Sequence, residues 1–108
     1  MEDKMLTDTL RKDIEQTLKN NKIVIYMKGT PQSPLCGFSA RTVEILQSYN
    51  QPVKGINILE NEEIRQGIKE FTNWPTIPQV FINGEFIGGC DIVTEMHDSG
   101  ELKKVLAV

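Results

Sequence analysis

Ile23-Val24-Ile25-Tyr26-Met27-Lys28-Gly29-Thr30-Pro31-Gln32-Ser33-Pro34-Leu35-Cys36-Gly37-Phe38-Ser39 is the stretch that decides the fold. Its first five residues are all apolar, the pattern of a short strand buried on both faces, and such strands belong to α/β sheets. Lys28 to Ser39 is polar and turn-rich, broken by Gly29, Pro31, Pro34 and Gly37. From about Phe38 to Tyr49 a helical pattern resumes, with Ala40, Val43 and Leu46 on one face. A cysteine thus stands between a strand and the start of a helix.

Upstream, Leu6, Leu10, Ile14 and Leu18 recur every four residues and predict an amphipathic helix that Asn20-Asn21 ends. Downstream, Pro52 to Ile58 reads as a weaker strand. Asn61 is a helix N-cap, followed by Ile64, Ile68 and Phe71 at helical spacing. Asn73 to Pro78 is a loop by its prolines. Gln79–Ile82 and Glu85–Gly88 flank Asn83-Gly84, the signature of a hairpin closed by a type I′ turn. Gly88-Gly89 lets the chain turn into a helix from about Asp91 to Asp98 that Gly100 closes. Glu101 to Leu106 is a last short helix. A βαβ unit gives a right-handed parallel strand pair, and the hairpin adds antiparallel strands. The fold class is α/β, a small mixed sheet with helices on both faces and an extra helix at the N-terminal end.

The 108 residues make one domain, spanning 1–108. A hydrophobic share of 39% with 25% charged places the chain among globular proteins rather than disordered ones. Twelve Lys and Arg against fifteen Asp and Glu give −3, which argues against a nucleic-acid partner. The apolar run Ile23 to Met27 is far too short for a membrane span. Met1 to Met5 carries neither an export signal nor the start of a transit peptide, so the expected location is cytoplasmic. Two cysteines do not make a disulfide framework and read instead as thiols with chemistry.

Cys36 immediately precedes a helix, where unpaired backbone N–H groups and the dipole favour thiolate over thiol. Lys28, at the end of the preceding strand, adds a second positive charge. A cysteine in such surroundings has its pKa lowered from about 8.5 into the range of about 3.5–7.5. The bland alternative is a buried apolar cysteine, and the flanking Gly, Pro and Ser weigh against it. Cys36-Gly37-Phe38-Ser39 lacks a second thiol, and a hydroxyl cannot resolve a mixed disulfide. The resolving thiol must come from another molecule, or from Cys90 if the fold brings it near. Ser39 otherwise serves the start of the helix.

Pro78 suits the start of a strand. A cis bond there would expose the backbone of Ile77 for β-type pairing with an extended peptide, and an ordinary trans loop proline is the alternative. Gly89-Cys90-Asp91 opens a helix whose free N–H groups suit a carboxylate. Asp91 either pairs with an ammonium group or caps the helix. Cys90 reads first as core filler, with a second reactive thiol or a metal ligand as alternatives. Arg65, taken alone, is a solvated helix charge. His97 is the single histidine, and with two distant cysteines it makes no recognisable zinc site.

Lys28-Gly29-Thr30-Pro31, Pro34-Leu35-Cys36-Gly37-Phe38-Ser39, Trp74-Pro75-Thr76-Ile77-Pro78-Gln79 and Gly88-Gly89-Cys90-Asp91, taken together and in this order, resemble the monothiol glutaredoxins of the Cys-Gly-Phe-Ser type. The likeness runs from Ile23 onward. It implies a thioredoxin fold with a four-stranded mixed sheet and Pro78 as its cis-proline. It implies glutathione beside Cys36, with Lys28 and Arg65 on the glycine carboxylate, Ile77 pairing its backbone with the cysteinyl unit, and Cys90 and Asp91 at the γ-glutamyl end. Two cations, a helix N-terminus and one Asp complement two carboxylates and one ammonium. The resemblance further implies a [2Fe–2S] cluster held by Cys36 across a homodimer, with glutathione supplying the other thiolates. BolA-like proteins and iron–sulfur recipient proteins are the implied partners. Weak glutathione-dependent reduction of mixed disulfides is the alternative activity.

Overall fold

The computed structural model describes residues 6–108. The reading of Met1 to Met5 as free of targeting signals lies outside the described residues. Chain order is helix α1 (Asp8–Asn20), strand β1 (Ile23–Met27), the two-residue strands β2 (Gly29–Thr30) and β3 (Ser33–Pro34), and helix α2 (Gly37–Gln47). Strand β4 (Lys54–Asn57), helix α3 (Glu62–Thr72), strands β5 (Gln79–Ile82) and β6 (Glu85–Gly88), and helices α4 (Cys90–Ser99) and α5 (Glu101–Leu106) follow.

Four strands form one mixed sheet in the order β4-β1-β5-β6. β1 pairs parallel to β4, with Val24 opposite Lys54, and antiparallel to β5, with Tyr26 opposite Gln79. β1 is therefore central, and all five of its residues are buried. That is why its sequence is an unbroken apolar run rather than an alternating one. Alternate side chains serve opposite faces. Ile23, Ile25 and Met27 join Val43, Leu46, Val93, Leu102 and Leu106 beneath α2, α4 and α5. Val24 and Tyr26 join Leu10, Ile14 and Leu18 of α1 and Ile68 of α3. The cores thus form on both sides of one strand. Desolvation in the second core pushes the Tyr26 hydroxyl's pKa up, and the nearby Asp13 carboxylate pushes it further.

Local chemistry explains the element ends. Thr7 Oγ1 accepts the Leu10 N–H at 3.1 Å, so α1 starts at Asp8 rather than Leu6. Asn61 Oδ1 accepts the N–H groups of Glu63 and Ile64, as its N-cap position requires. Asn83 and Gly84 both have positive φ, 53° and 80°, the geometry of the expected type I′ turn. The weaker strand is shorter than its sequence suggests, Lys54–Asn57 rather than Pro52–Ile58.

Two details depart from the sequence pattern. The Lys28–Ser39 stretch is not wholly irregular, because β2 and β3 form a small antiparallel ribbon pairing Gly29 with Pro34 and Thr30 with Ser33. Two-residue strands are too short to leave a periodic signal. On α2, Ala40 is only half-buried, and the inward face carries Ser39, Thr42, Val43, Ile45 and Leu46. The two hydroxyls tolerate burial because each has a partner. Thr42 Oγ1 donates to the Phe38 carbonyl at 2.7 Å, and Ser39 Oγ accepts the Lys28 N–H at 3.2 Å. Among the described residues, no helix is long and apolar enough to cross a membrane.

Candidate thiol site and its cleft

Cys36 is the N-cap of α2, in extended backbone with φ −150° and ψ 137°. Gly37 is the first residue of the helix, so Phe38 and Ser39 hold the N–H groups that an N-cap side chain faces. The thiol is half-buried and free. Its pKa lies below the ordinary thiol value. The backbone N–H of Ser39 is the main cause, partial desolvation works against it, and the Phe38 N–H, the Lys28 ammonium and the Ser39 hydroxyl add to the lowering.

The loop before Cys36 is built to hold it there. The Lys28 N–H donates to Ser39 Oγ, and the Lys28 carbonyl accepts the Leu35 N–H at 2.9 Å. Both ends of the loop are thus tied around one residue. Gly29 sits at φ +88°, and a methyl group there would lie 2.5 Å from the Ser33 carbonyl oxygen and 2.7 Å from the Leu35 nitrogen. Only glycine fits this position. Asn57, at the end of β4, accepts the N–H groups of Gly29 and Leu59, each at 3.0 Å. Leu35 and Phe38, either side of the thiol, are exposed.

A cleft of about 260 Å³ opens beside this helix start. Phe38 of α2 forms one side, Trp74, Ile77 and Pro78 come from the loop before β5, and Cys90 and Asp91 come from the start of α4. The Ile77–Pro78 peptide is cis, as the resemblance implies. Ile77 precedes the first ladder pair of β5, so its N–H and C=O are outside the sheet. Gln79 shapes this loop from within. It is fully buried, its Nε2 donates to the carbonyls of Trp74 and Thr76, and its Oε1 accepts the Thr72 hydroxyl at 2.8 Å.

The structure brings Ile77, Cys90 and Asp91 together on one cleft. Cys36 and Lys28 are outside its lining; Cys36 lies two residues before Phe38, and the Lys28 ammonium acts on its thiol. Arg65 stands on α3 outside the lining, with one guanidinium nitrogen 3.7 Å from the Glu62 carboxylate. Cys90 is buried, as filler would be, yet it also faces the cleft, and its Sγ lies 4.0 Å from the Thr94 hydroxyl. His97 is exposed, and its Nδ1 lies 2.6 Å from the Tyr49 hydroxyl. No group of three or more metal-ligating side chains occurs among the described residues. Phe38, Trp74 and Gln79, quoted above only as motif members, and Asn57, outside every motif, do structural work at the site. Gln79 leaves one readable sign, a polar residue heading an otherwise apolar strand.

A cysteine at the N-cap of α2, a cis-proline loop and the start of α4 thus gather in one region of the fold. The glutaredoxin family model matches residues 23–87, and the chain belongs to that family. Within it, the chain stands with the monothiol glutaredoxins. It is 52% identical over 94 residues to glutaredoxin 4 of Buchnera aphidicola, covering 87% of this chain and 88% of that protein. It is 52% identical over 100 residues, 93% of the chain, to monothiol glutaredoxin-S15 of Arabidopsis thaliana mitochondria, and spans 59% of that longer protein. In three dimensions it resembles reduced poplar apo GrxS14, with TM-score 0.83, 48% identity, and coverage of 95% of this chain and 98% of that one. It also resembles a buckwheat glutaredoxin–glutathione complex, with TM-score 0.82, 27% identity, and coverage of 99% and 94%. The four-stranded mixed sheet with its N-terminal helix is therefore the thioredoxin fold.

Proposed function

We propose that this chain binds glutathione in the cleft and, through Cys36, takes part in holding a [2Fe–2S] cluster between two copies for transfer to recipient proteins. The observation that carries this reading is a single half-exposed thiol, favoured as thiolate by the start of α2, beside a peptide-sized cleft. Such a cluster takes four thiolates, and one chain offers a single half-exposed thiol at this point. The residues present fit a shared arrangement, in which two Cys36 side chains and two glutathione thiolates complete the set. The cluster, when bound, is exchangeable cargo rather than a fixed electron carrier, because half of its ligands are borrowed.

In this reading Lys28 and Arg65 hold the glycine carboxylate of glutathione. Ile77 pairs its free N–H and C=O with the cysteinyl unit, and the start of α4, with Asp91, receives the γ-glutamyl end. The buckwheat relative forms a complex with glutathione, which supports glutathione as the ligand. BolA-like proteins are the proposed alternative partner across the same site. Anaerobic reconstitution with iron, sulfide and glutathione should yield a coloured dimer that Cys36→Ser cannot form. A persistently colourless monomer overturns the reading. Lys28→Glu should weaken glutathione binding and cluster retention together.

The lowered pKa of Cys36 also favours a second reading, reduction of protein–glutathione mixed disulfides. The Cys36 thiolate attacks the glutathione sulfur, the protein thiolate leaves, and a Cys36–glutathione disulfide forms. A second glutathione thiolate then attacks that disulfide, releasing glutathione disulfide and restoring Cys36. Ser39 cannot take this resolving role. Turnover lost in Cys36→Ser and kept in Cys90→Ser supports this activity, and negligible turnover of the wild type removes it.

A further inference from the structure

Trp74 is the chain's single tryptophan, and it is fixed from two directions. Its indole meets Phe86 edge-on, with centroids 5.7 Å apart, and Phe86 in turn meets Phe81 at 5.4 Å. Its carbonyl accepts the Gln79 side-chain amide at 2.9 Å, and its backbone N–H lies 3.2 Å from the Thr72 hydroxyl oxygen. The ring forms a wall of the cleft. Its Nε1–H is nevertheless shielded from solvent and meets no acceptor among the described residues. An indole nitrogen can only donate, so a shielded one with no acceptor is a standing cost of the free protein.

The indole nitrogen faces Gly89. A methyl group at Gly89 would stand 3.8 Å from Nε1 and 3.1 Å from the Pro78 carbonyl oxygen. Gly89 is the N-cap of α4 in extended backbone, φ −100°, so its main chain does not demand glycine. Glycine here keeps side-chain atoms out of the space between the indole edge and the start of α4. It also gives that helix no side-chain cap, leaving the first N–H groups of α4 to face the cleft.

Resting on the glutathione reading, we propose that Trp74 is a ligand-binding residue: a small turn of the indole brings Nε1–H onto a carboxylate oxygen at the γ-glutamyl end of bound glutathione. The aromatic body stays on Phe86 while its polar edge turns to the ligand. The start of α4 and the indole then receive the same carboxylate from two sides. The contact selects for a ligand that carries this carboxylate, so Trp74 discriminates full glutathione from peptides lacking the glutamyl unit.

Titration of ¹⁵N-labelled protein with glutathione, and separately with cysteinylglycine, tests this. The single indole N–H signal of the wild type should shift saturably with glutathione and not with cysteinylglycine. Trp74→Phe keeps an aromatic ring and loses the donor. It should weaken glutathione binding about tenfold and leave cysteinylglycine binding within about twofold of the wild type. A stationary indole signal, with the backbone signals of Cys90 and Asp91 moving and Trp74→Phe binding as well as the wild type, overturns the role of Trp74 and leaves the glutathione reading intact. No response of Cys90 and Asp91 to glutathione overturns that reading, and the Trp74 proposal with it. Should Trp74→Phe fail to fold, the wild-type indole signal alone decides.

Discussion

Cys36 and Cys90 both stand at the start of a helix, α2 and α4, and both helices cover the same face of the sheet. Their surroundings differ, and they sit one position apart relative to the helix. Cys36 is the N-cap, so its side chain turns toward the free N–H groups of the residues two and three places on, Phe38 and Ser39. Cys90 is already inside α4, Gly89 being the N-cap. The thiol of Cys90 is buried, and its polar neighbour is the Thr94 hydroxyl at 4.0 Å. For Cys36, the N-cap position brings the thiol to the Ser39 and Phe38 N–H groups that lower its pKa.

The largest test of this contrast is to remove each sulfur. Cys36→Ser should abolish formation of a glutathione mixed disulfide on oxidation with glutathione disulfide, and Cys90→Ser should retain it, as read by intact mass. Loss in Cys90→Ser alone would reverse the assignment.

The scaffolding around the two thiols gives the next effects. Gly29→Ala meets both a positive φ and two backbone atoms closer than 3 Å, and should cost about 2–3 kcal/mol in urea unfolding. Gly37→Ala, where nothing lies within 4 Å, should stay within about 0.5 kcal/mol of the wild type. Equal losses would mean that the loop is not clamped at Gly29. Ser39→Ala leaves the Lys28 N–H without its acceptor and should cost about 1–2 kcal/mol. It should raise the Cys36 pKa only slightly, because the hydroxyl is the smallest of the contributions and the Ser39 backbone N–H remains.

The smallest effect is a pH dependence. The folded pKa of Cys36 is depressed below the unfolded value of about 8.5. Folding therefore gains stability from this group that is fully present above the unfolded value and lost as pH falls through the folded pKa. The stability of the wild type relative to Cys36→Ser should be greater at pH 9 than at pH 5, by urea unfolding of both. The opposite sign would show a thiol disfavoured as thiolate.

Much of this was legible in the residues. The unbroken apolar run Ile23–Met27 marked a strand buried on both faces because it is the sheet's centre, and Asn83-Gly84 marked the hairpin because few other pairs accept two positive φ values. Cys36 was legible as a helix-start thiol from its breaker-rich flank. What the pattern hid depends on contacts distant in sequence. Asn57 stabilises Gly29 from 28 residues away, and Gln79 shapes the loop from beneath it. Ala40 counts as apolar in any periodic reading, yet the buried face goes to Ser39 and Thr42 because their hydroxyls find backbone partners. The β2–β3 ribbon, with two residues per strand, is below the length at which alternation can be seen.

Iodoacetamide labelling of the folded protein across pH, with the two thiols resolved by peptide mass, bears most directly on the account. Cys36 should label with a midpoint clearly below the ordinary thiol value near 8.5, while Cys90 stays unlabelled until the chain unfolds. A Cys36 midpoint at or above that value, or equal labelling of both cysteines in the folded protein, would contradict it.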